Sequence, residues 1–407
     1  MKYQSLIKPD TFIGQYMEYM SNVETPYAYD FWCAVWAIGV ECGRSVFVDR
    51  PSAPVYLNWY LILAAESGTT RKSTAVRSIR QVLSGEQEVL SGKTSPESLE
   101  LILHDATRRT GSATAHFAVP ELVTILGREG YMSTMPGLLT DLYDSPAERR
   151  SPGTLKSGEI VQHDVYITFL SASTPSWLVT AINPSVIEGG FTSRVIFIVE
   201  DTRKRAIAWP ESSKDLSRDR LSGLLQRSCE RARDIGALTI SDGGLRKFTR
   251  WYNNRPVSND PFQSSFEARE DDHVLRLAAG LAINDGTLEL QTTHITTSIK
   301  VIADAKRKAS TLFGGQFSTG ARIGDAVTRV REILIEAGGD GIRHNTLYRR
   351  VNHRLDNTEF KLLMKILHES DLIQVFQVEK GGKIYRATRN IENFGIISEV
   401  LGKIGAD

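Results

Sequence analysis

Between Thr11 and Val40 the apolar positions recur at helical spacing, with Phe12, Tyr16, Tyr19 and Met20 on one face. The run Phe31-Trp32-Cys33-Ala34-Val35-Trp36-Ala37-Ile38 then carries almost no polar position, which predicts deep burial. Ser45–Val48 and Pro54–Tyr56 predict two short strands flanking a turn. Trp59-Tyr60-Leu61-Ile62-Leu63-Ala64-Ala65 is a short, fully apolar run that stops at the small and polar cluster Glu66–Thr70. A helix is predicted over Ser73–Leu83. Buried strand, tight loop and helix in that order open an α/β unit.

Three more apolar runs follow at intervals that leave room for crossover helices: His116–Val119, Val165–Ala172 and Arg194–Val199. Continuous apolar strands alternating with helices predict a parallel sheet covered on both faces. Residues 215–313 read as mostly helical. The Gly/Ser-rich stretch Gly314–Gly320 precedes a separate small unit over 321–390. The expected division is a helical extension over 1–50, an α/β core over 51–205, a helical segment over 206–320 and a terminal domain over 321–407.

Composition narrows this picture only slightly. The 407 residues imply more than one domain, and a formal net charge of +1 offers no global field for a polyanion. Any such binding must come from local patches. Cys33, Cys42 and Cys229 lack paired metal-type spacing and read as reduced core residues. No apolar run approaches bilayer length and the N-terminus lacks a signal-peptide layout, so a cytoplasmic, non-membrane protein is expected.

Candidate chemistry concentrates at the first strand–loop–helix. In Glu66-Ser67-Gly68-Thr69-Thr70-Arg71-Lys72-Ser73-Thr74, small residues let backbone N–H groups converge on phosphate oxygens. Lys72 is placed to bridge β- and γ-phosphates and Ser73 to hold magnesium. The loop departs from G-x-x-x-x-G-K-[ST], because Glu66 and Arg71 stand at both glycine positions. Glu121 follows the strand ending at Val119, where a carboxylate orients attacking water, and Pro120 replaces the usual preceding aspartate. The hydroxyls of Ser171, Ser173 and Thr174 end another strand. Arg194 stands directly before the last one, as an arginine reaching a neighbour's phosphate would.

Order and spacing together resemble the AAA+ ATPases, among them the minichromosome-maintenance type. The similarity is greatest to helicase-like ATPases of phages, plasmids and other mobile elements, and it runs from about Thr25 to Phe313. Thr25-Pro26-Tyr27, Gly43-Arg44-Ser45-Val46 and Gly92–Leu99 resemble segments flanking the phosphate loop in that family. Ala172-Ser173-Thr174-Pro175 resembles the sensor-1 turn, Thr192-Ser193-Arg194 the arginine-finger segment, and Arg269–Arg276 the helix with the sensor-2 arginine, Arg269. The resemblance implies ATP and Mg2+ as ligands, Lys72, Glu121 and Arg194 as catalytic groups, and a ring, a hexamer, as the working form. It also implies an ATP-driven DNA helicase or translocase. A nucleotide-gated loading factor with slow or absent hydrolysis is the alternative, favoured by Pro120.

Two basic regions bear on DNA. Glu148–Gly158 is basic and turn-rich, and in the related helicases the corresponding segment is a hairpin projecting into the pore. Arg149, Arg150 and Lys156 are then candidates for contact with a threaded single strand. Residues 321–390 carry the helix–helix–helix–hairpin order of a winged helix. Val330, Ile333 and Leu334, and later Phe360, Leu363, Met364 and Leu367, are its expected inward positions. Arg322–Arg389 holds thirteen Lys/Arg against nine Asp/Glu. Arg349, Arg350, Lys361, Lys365 and Lys383 are candidates for duplex contact. The fold expected is therefore α/β: an AAA+ P-loop core with a parallel sheet, a helical N-terminal extension and lid, and a C-terminal winged helix.

Overall fold

A computed structural model of the chain describes residues 1–83, 89–127, 134–151, 159–182, 186–187, 189–209, 216–313, 329–351, 357–378 and 382–390. The chain divides into two compact units, Met1–Leu312 and Phe313–Asp407.

In the first unit, α1 (Phe12–Tyr19) is capped by the Thr11 hydroxyl, which accepts from the Gly14 amide. It leads to α2 (Tyr27–Cys42), in which every residue from Ala28 to Cys42 is buried. A helix apolar all round belongs inside, and α2 is the centre of the core, where Trp32 packs edge-on to Trp59 at 5.5 Å. Gly39 is fixed by close approach, since a Cβ there would lie 2.3 Å from the Leu57 carbonyl oxygen. Two tyrosines tie α2 to the sheet: Tyr29 Oη donates to the Ala64 carbonyl at 2.9 Å, and Tyr166 Oη to the Gly39 carbonyl at 2.7 Å.

Among the described residues five strands form the parallel sheet: β3 (Tyr60–Ala64), β4 (Val89–Leu90), β5 (Thr114–Val119), β8 (Tyr166–Ser173) and β9 (Val195–Val199). Their order is β4-β5-β8-β3-β9. The apolar runs are thus strands as expected, except that Arg194 closes the short helix Phe191–Arg194 rather than opening β9. The covering helices include α3 (Lys72–Arg80), α4 (Pro96–Thr110), α5 (Val123–Leu126), α6 (Met135–Tyr143) and α7 (Pro175–Ala181). Between α6 and β8, β6 (Glu148–Ser151) and β7 (Ile160–His163) pair as an antiparallel hairpin lying against α4.

A second small sheet was not expected. β1 (Phe47–Val48) pairs antiparallel with β2 (Val55–Tyr56) as the pattern suggests. It also pairs in parallel with β10 (Ala237–Ile240), which pairs with β11 (Glu289–Leu290). Residues on both sides of the expected boundaries at 50 and 205 therefore share one sheet.

The second unit holds a helix over 329–337, β12 (Ile342–Arg343), the helices His344–Val351 and Asn357–Glu369, and the hairpin β13 (Ile373–Val378) and β14 (Gly382–Ala387). Its sheet order is β12-β14-β13. Val330, Ile333, Leu334, Phe360, Leu363, Met364 and Leu367 all lie in its core. Among the described residues no helix is long and apolar enough to cross a membrane.

Candidate active site

The chain leaves β3 at Ala64, turns through Gly68 at φ +77° and enters α3 at Lys72. Arg71, the residue before the helix, also sits in the left-handed region, at φ +53°. For a side-chain-bearing residue this costs roughly 1–2 kcal/mol, a strain that accumulates where a loop is shaped for a task.

Strand register decides which candidates meet. Ala64 pairs with Ser173, and Val119 with Ser171, so Thr174 and Glu121 emerge level with the loop at the carboxyl edge. The β3 position is where strand connections diverge to either side, the place an open α/β sheet offers for a ligand. There a cavity of about 400 Å³ is lined by Ser67, Gly68, Arg71, Lys72, Ser73, Thr74, Glu121 and Thr174, with Pro120 and Trp177 among the rest. The Leu122 amide donates to the Ala172 carbonyl at 2.9 Å, holding the Glu121 turn against the end of β8.

Within the cavity Lys72 is half-buried, and its Nζ donates to the carbonyls of Ala65 at 2.6 Å and Glu66 at 3.0 Å. Burial depresses the Lys72 pKa, and the Glu66 charge opposes that shift. Glu66 itself is exposed, outside the cavity lining. The Arg71 guanidinium reaches Glu24, with Nε 2.8 Å from Oε2, while Arg203 holds Oε1 at 2.8 Å and the Ile207 amide donates to it at 3.0 Å. The Ile207 amide first, then Arg71, holds the Glu24 carboxyl below its ordinary range. Thr174 caps α7, its hydroxyl accepting from the Trp177 amide at 3.4 Å. Ser73 and Glu121 supply hard oxygen donors, a set that fits Mg2+ completed by phosphate and water.

Several expected members lie elsewhere. Thr69 and Thr70 are absent from the lining: the Thr69 hydroxyl donates to the Glu66 carbonyl at 2.9 Å, and Thr70 is buried toward Tyr29. Arg194 precedes Val195, which pairs with Tyr60 at the start of β3. A strand of this length separates it from the loop by about 16 Å. Arg269 is beside Arg194, not beside Thr174: both guanidiniums bind the Asp144 carboxylate, at 2.7 Å and 3.0 Å. Arg276 is a packing residue, donating to the Tyr56 carbonyl at 2.6 Å and lying over the Trp59 ring. Glu24 and Asp144 carry no sequence signal, since each gains meaning only from arginines distant in the chain.

The basic candidates also divide. Arg149 is tied to Glu100 at 2.7 Å and holds the hairpin on α4, while exposed Arg150 is paired with Glu148 at 2.6 Å and Glu159 at 3.4 Å. Lys156 lies outside the described residues. In the second unit, Arg349, Lys361, Lys365 and Lys383 line one cleft of about 1490 Å³ with Arg343 and Asn345. Arg350 is instead paired with Glu336 at 2.6 Å. No family model matches this chain, and no curated protein matches it.

Proposed function

We propose that the chain is an ATPase of the AAA+ type that moves on DNA as a ring-forming helicase or translocase. The carrying observation is the single cavity that gathers Lys72, Ser73, Glu121 and Thr174 from three strand ends at the switch point of a parallel sheet. In this reading Lys72 exchanges the Ala65 and Glu66 carbonyls for β- and γ-phosphate oxygens. Ser73 holds Mg2+, which when bound spreads the phosphate charge. Glu121 orients the attacking water, and Thr174 faces the terminal phosphate from the end of β8.

Arg194 and Arg269 sit at the opposite edge of the sheet from Lys72. They suit a nucleotide held by another copy, and this makes a closed oligomer, a hexamer on the family resemblance, the working form. In this reading the second unit is a winged helix whose basic cleft suits the phosphates of a duplex. Arg150, exposed on β6, suits the phosphates of a single strand. A cytoplasmic location accords with this role.

One observation favours a second reading, a nucleotide-gated loading factor with slow hydrolysis. Glu121 is the only carboxylate among the residues lining the cavity, where Pro120 takes the place of a metal-binding aspartate. ATP turnover with and without single-stranded DNA, in wild type and Lys72→Ala, tests the main reading. DNA-stimulated turnover lost in the variant supports it. DNA-independent turnover, or turnover that survives Lys72→Ala, rejects it.

A further inference from the structure

The amino edge of the parallel sheet carries its own cleft, of about 480 Å³, lined in part by Asn58, Asp144, Arg269 and Arg276. The Asp144 carboxylate accepts from Arg269 Nη1 at 2.7 Å and Nη2 at 3.2 Å, and from Arg194 Nη2 at 3.0 Å. Two guanidiniums from chain positions far apart thus converge on one oxyanion. A carboxylate and a phosphoryl group present the same oxygen pair to such forks.

The arrangement has unused capacity. Arg194 is 11% exposed, and its Nε is buried without a partner. Asp144 by contrast is 47% exposed and follows the end of α6, just before Ser145 at φ +50°. Arg194 Nη1 is anchored on the Gly190 carbonyl at 2.9 Å, and the Asp144 carboxylate is the most exposed of the three side chains. The other acids at this edge have cations of their own, since Arg50 binds Asp271 at 3.0 Å and Asp272 at 2.7 Å. Asp272 lies 3.7 Å from Arg269, a weaker second contact.

We propose that the Asp144 carboxylate marks an oxyanion site that takes the terminal phosphoryl group of a nucleotide carried by a second copy of this chain. This rests on the shared-site reading above and adds the residue that occupies the site in the lone subunit. Asp144 neutralises the two arginines until the phosphoryl group displaces it. It therefore competes with subunit engagement, and removing its charge strengthens engagement.

The test is ATP turnover against subunit concentration at saturating ATP, in wild type, Asp144→Asn, Asp144→Glu and Arg194→Ala. Asp144→Asn is expected to move the half-maximal subunit concentration down about five-fold, the worth of a partly exposed ion pair. Asp144→Glu returns it toward wild type. Should Asp144→Asn fold poorly, Asp144→Ser removes the charge with less bulk and reads the same midpoint. A midpoint unmoved or raised without the charge, while Arg194→Ala silences turnover, overturns the oxyanion site alone. Turnover indifferent both to subunit concentration and to Arg194→Ala overturns the shared site and this inference with it.

Discussion

Lys204 Nζ lies 2.7 Å from Asp30 Oδ2 with the two side chains 2% and 0% exposed, an ion pair sealed inside the first unit. Its hydrogen bonds are well satisfied: Asp30 accepts from the Thr25 hydroxyl at 2.6 Å, and Lys204 donates to the Met20 carbonyl at 2.6 Å. The pair clamps the segment after β9 across the N-terminal helices, three residues from Ile207, whose amide binds Glu24. Removing one partner strands a buried charge. Asp30→Asn or Lys204→Met is expected to cost about 3–5 kcal/mol in denaturant unfolding, and the double variant Asp30→Asn/Lys204→Met less than the sum. Single variants within 1 kcal/mol of wild type would exclude a sealed pair.

Acid should weaken the fold. Burial presses the buried His273 down to about 3, helped by the Arg276 charge, and His116 down to about 4. A depressed histidine contributes stability that is present above its ordinary value and is lost as pH falls. Asp30 works the other way, since burial raises it to about 6, so its contribution is lost as pH rises. Two histidines outweigh one carboxyl, and these groups together predict a fold about 2 kcal/mol weaker at pH 5 than at pH 6.5. Urea midpoints at the two values check this, and an unchanged or higher midpoint at pH 5 would contradict it.

On the proposed reading, Glu121→Gln keeps the shape of the cavity and removes the group that orients water. If turnover is hydrolytic, it should fall by about 10²–10⁴ with nucleotide affinity retained. Equilibrium nucleotide binding and single-turnover hydrolysis, measured side by side, separate the two effects. Slow wild-type turnover that Glu121→Gln leaves unaltered would favour the gated loading factor.

In the second unit, Lys361, Lys365, Arg349 and Lys383 face one cleft, whereas Arg350 is committed to Glu336. Replacing any of the first four by Gln is expected to weaken duplex binding by the full-length chain similarly across sequences. Each should also lower the salt-dependence slope by about 1. Arg350→Gln should have the smaller effect. A slope unchanged in all four single variants removes DNA from this cleft.

Four of the five parallel strands were legible because each carries an apolar run, as burial on both faces favours, whereas β4 is two half-buried residues and left no such run. The carboxyl-edge cavity was legible for the same reason, since a strand's end fixes where its next residue stands. What stayed hidden depends on contacts without period. β11 is two residues long, too short for alternation to register, and β10 pairs with β1 and β11 across some 190 and 50 positions of chain. Motif order reads Arg269 as the sensor-2 arginine, yet the helix Glu270–Asn284 starts at the amino edge of the sheet, against Asp144. Arg149 reads as a free cation until Glu100 is placed beside it. Charge alone does not say which arginine already has a partner.

The strand length that separates Lys72 from Arg194 reaches as far as heredity. On the shared-site reading, each junction draws one residue from each of two gene products. An allele dead at Lys72 and an allele dead at Arg194, silent apart, should rescue each other in a mixed population, because some junctions join the intact half of each. Either allele expressed beside wild type should lower activity only in step with the junctions it spoils.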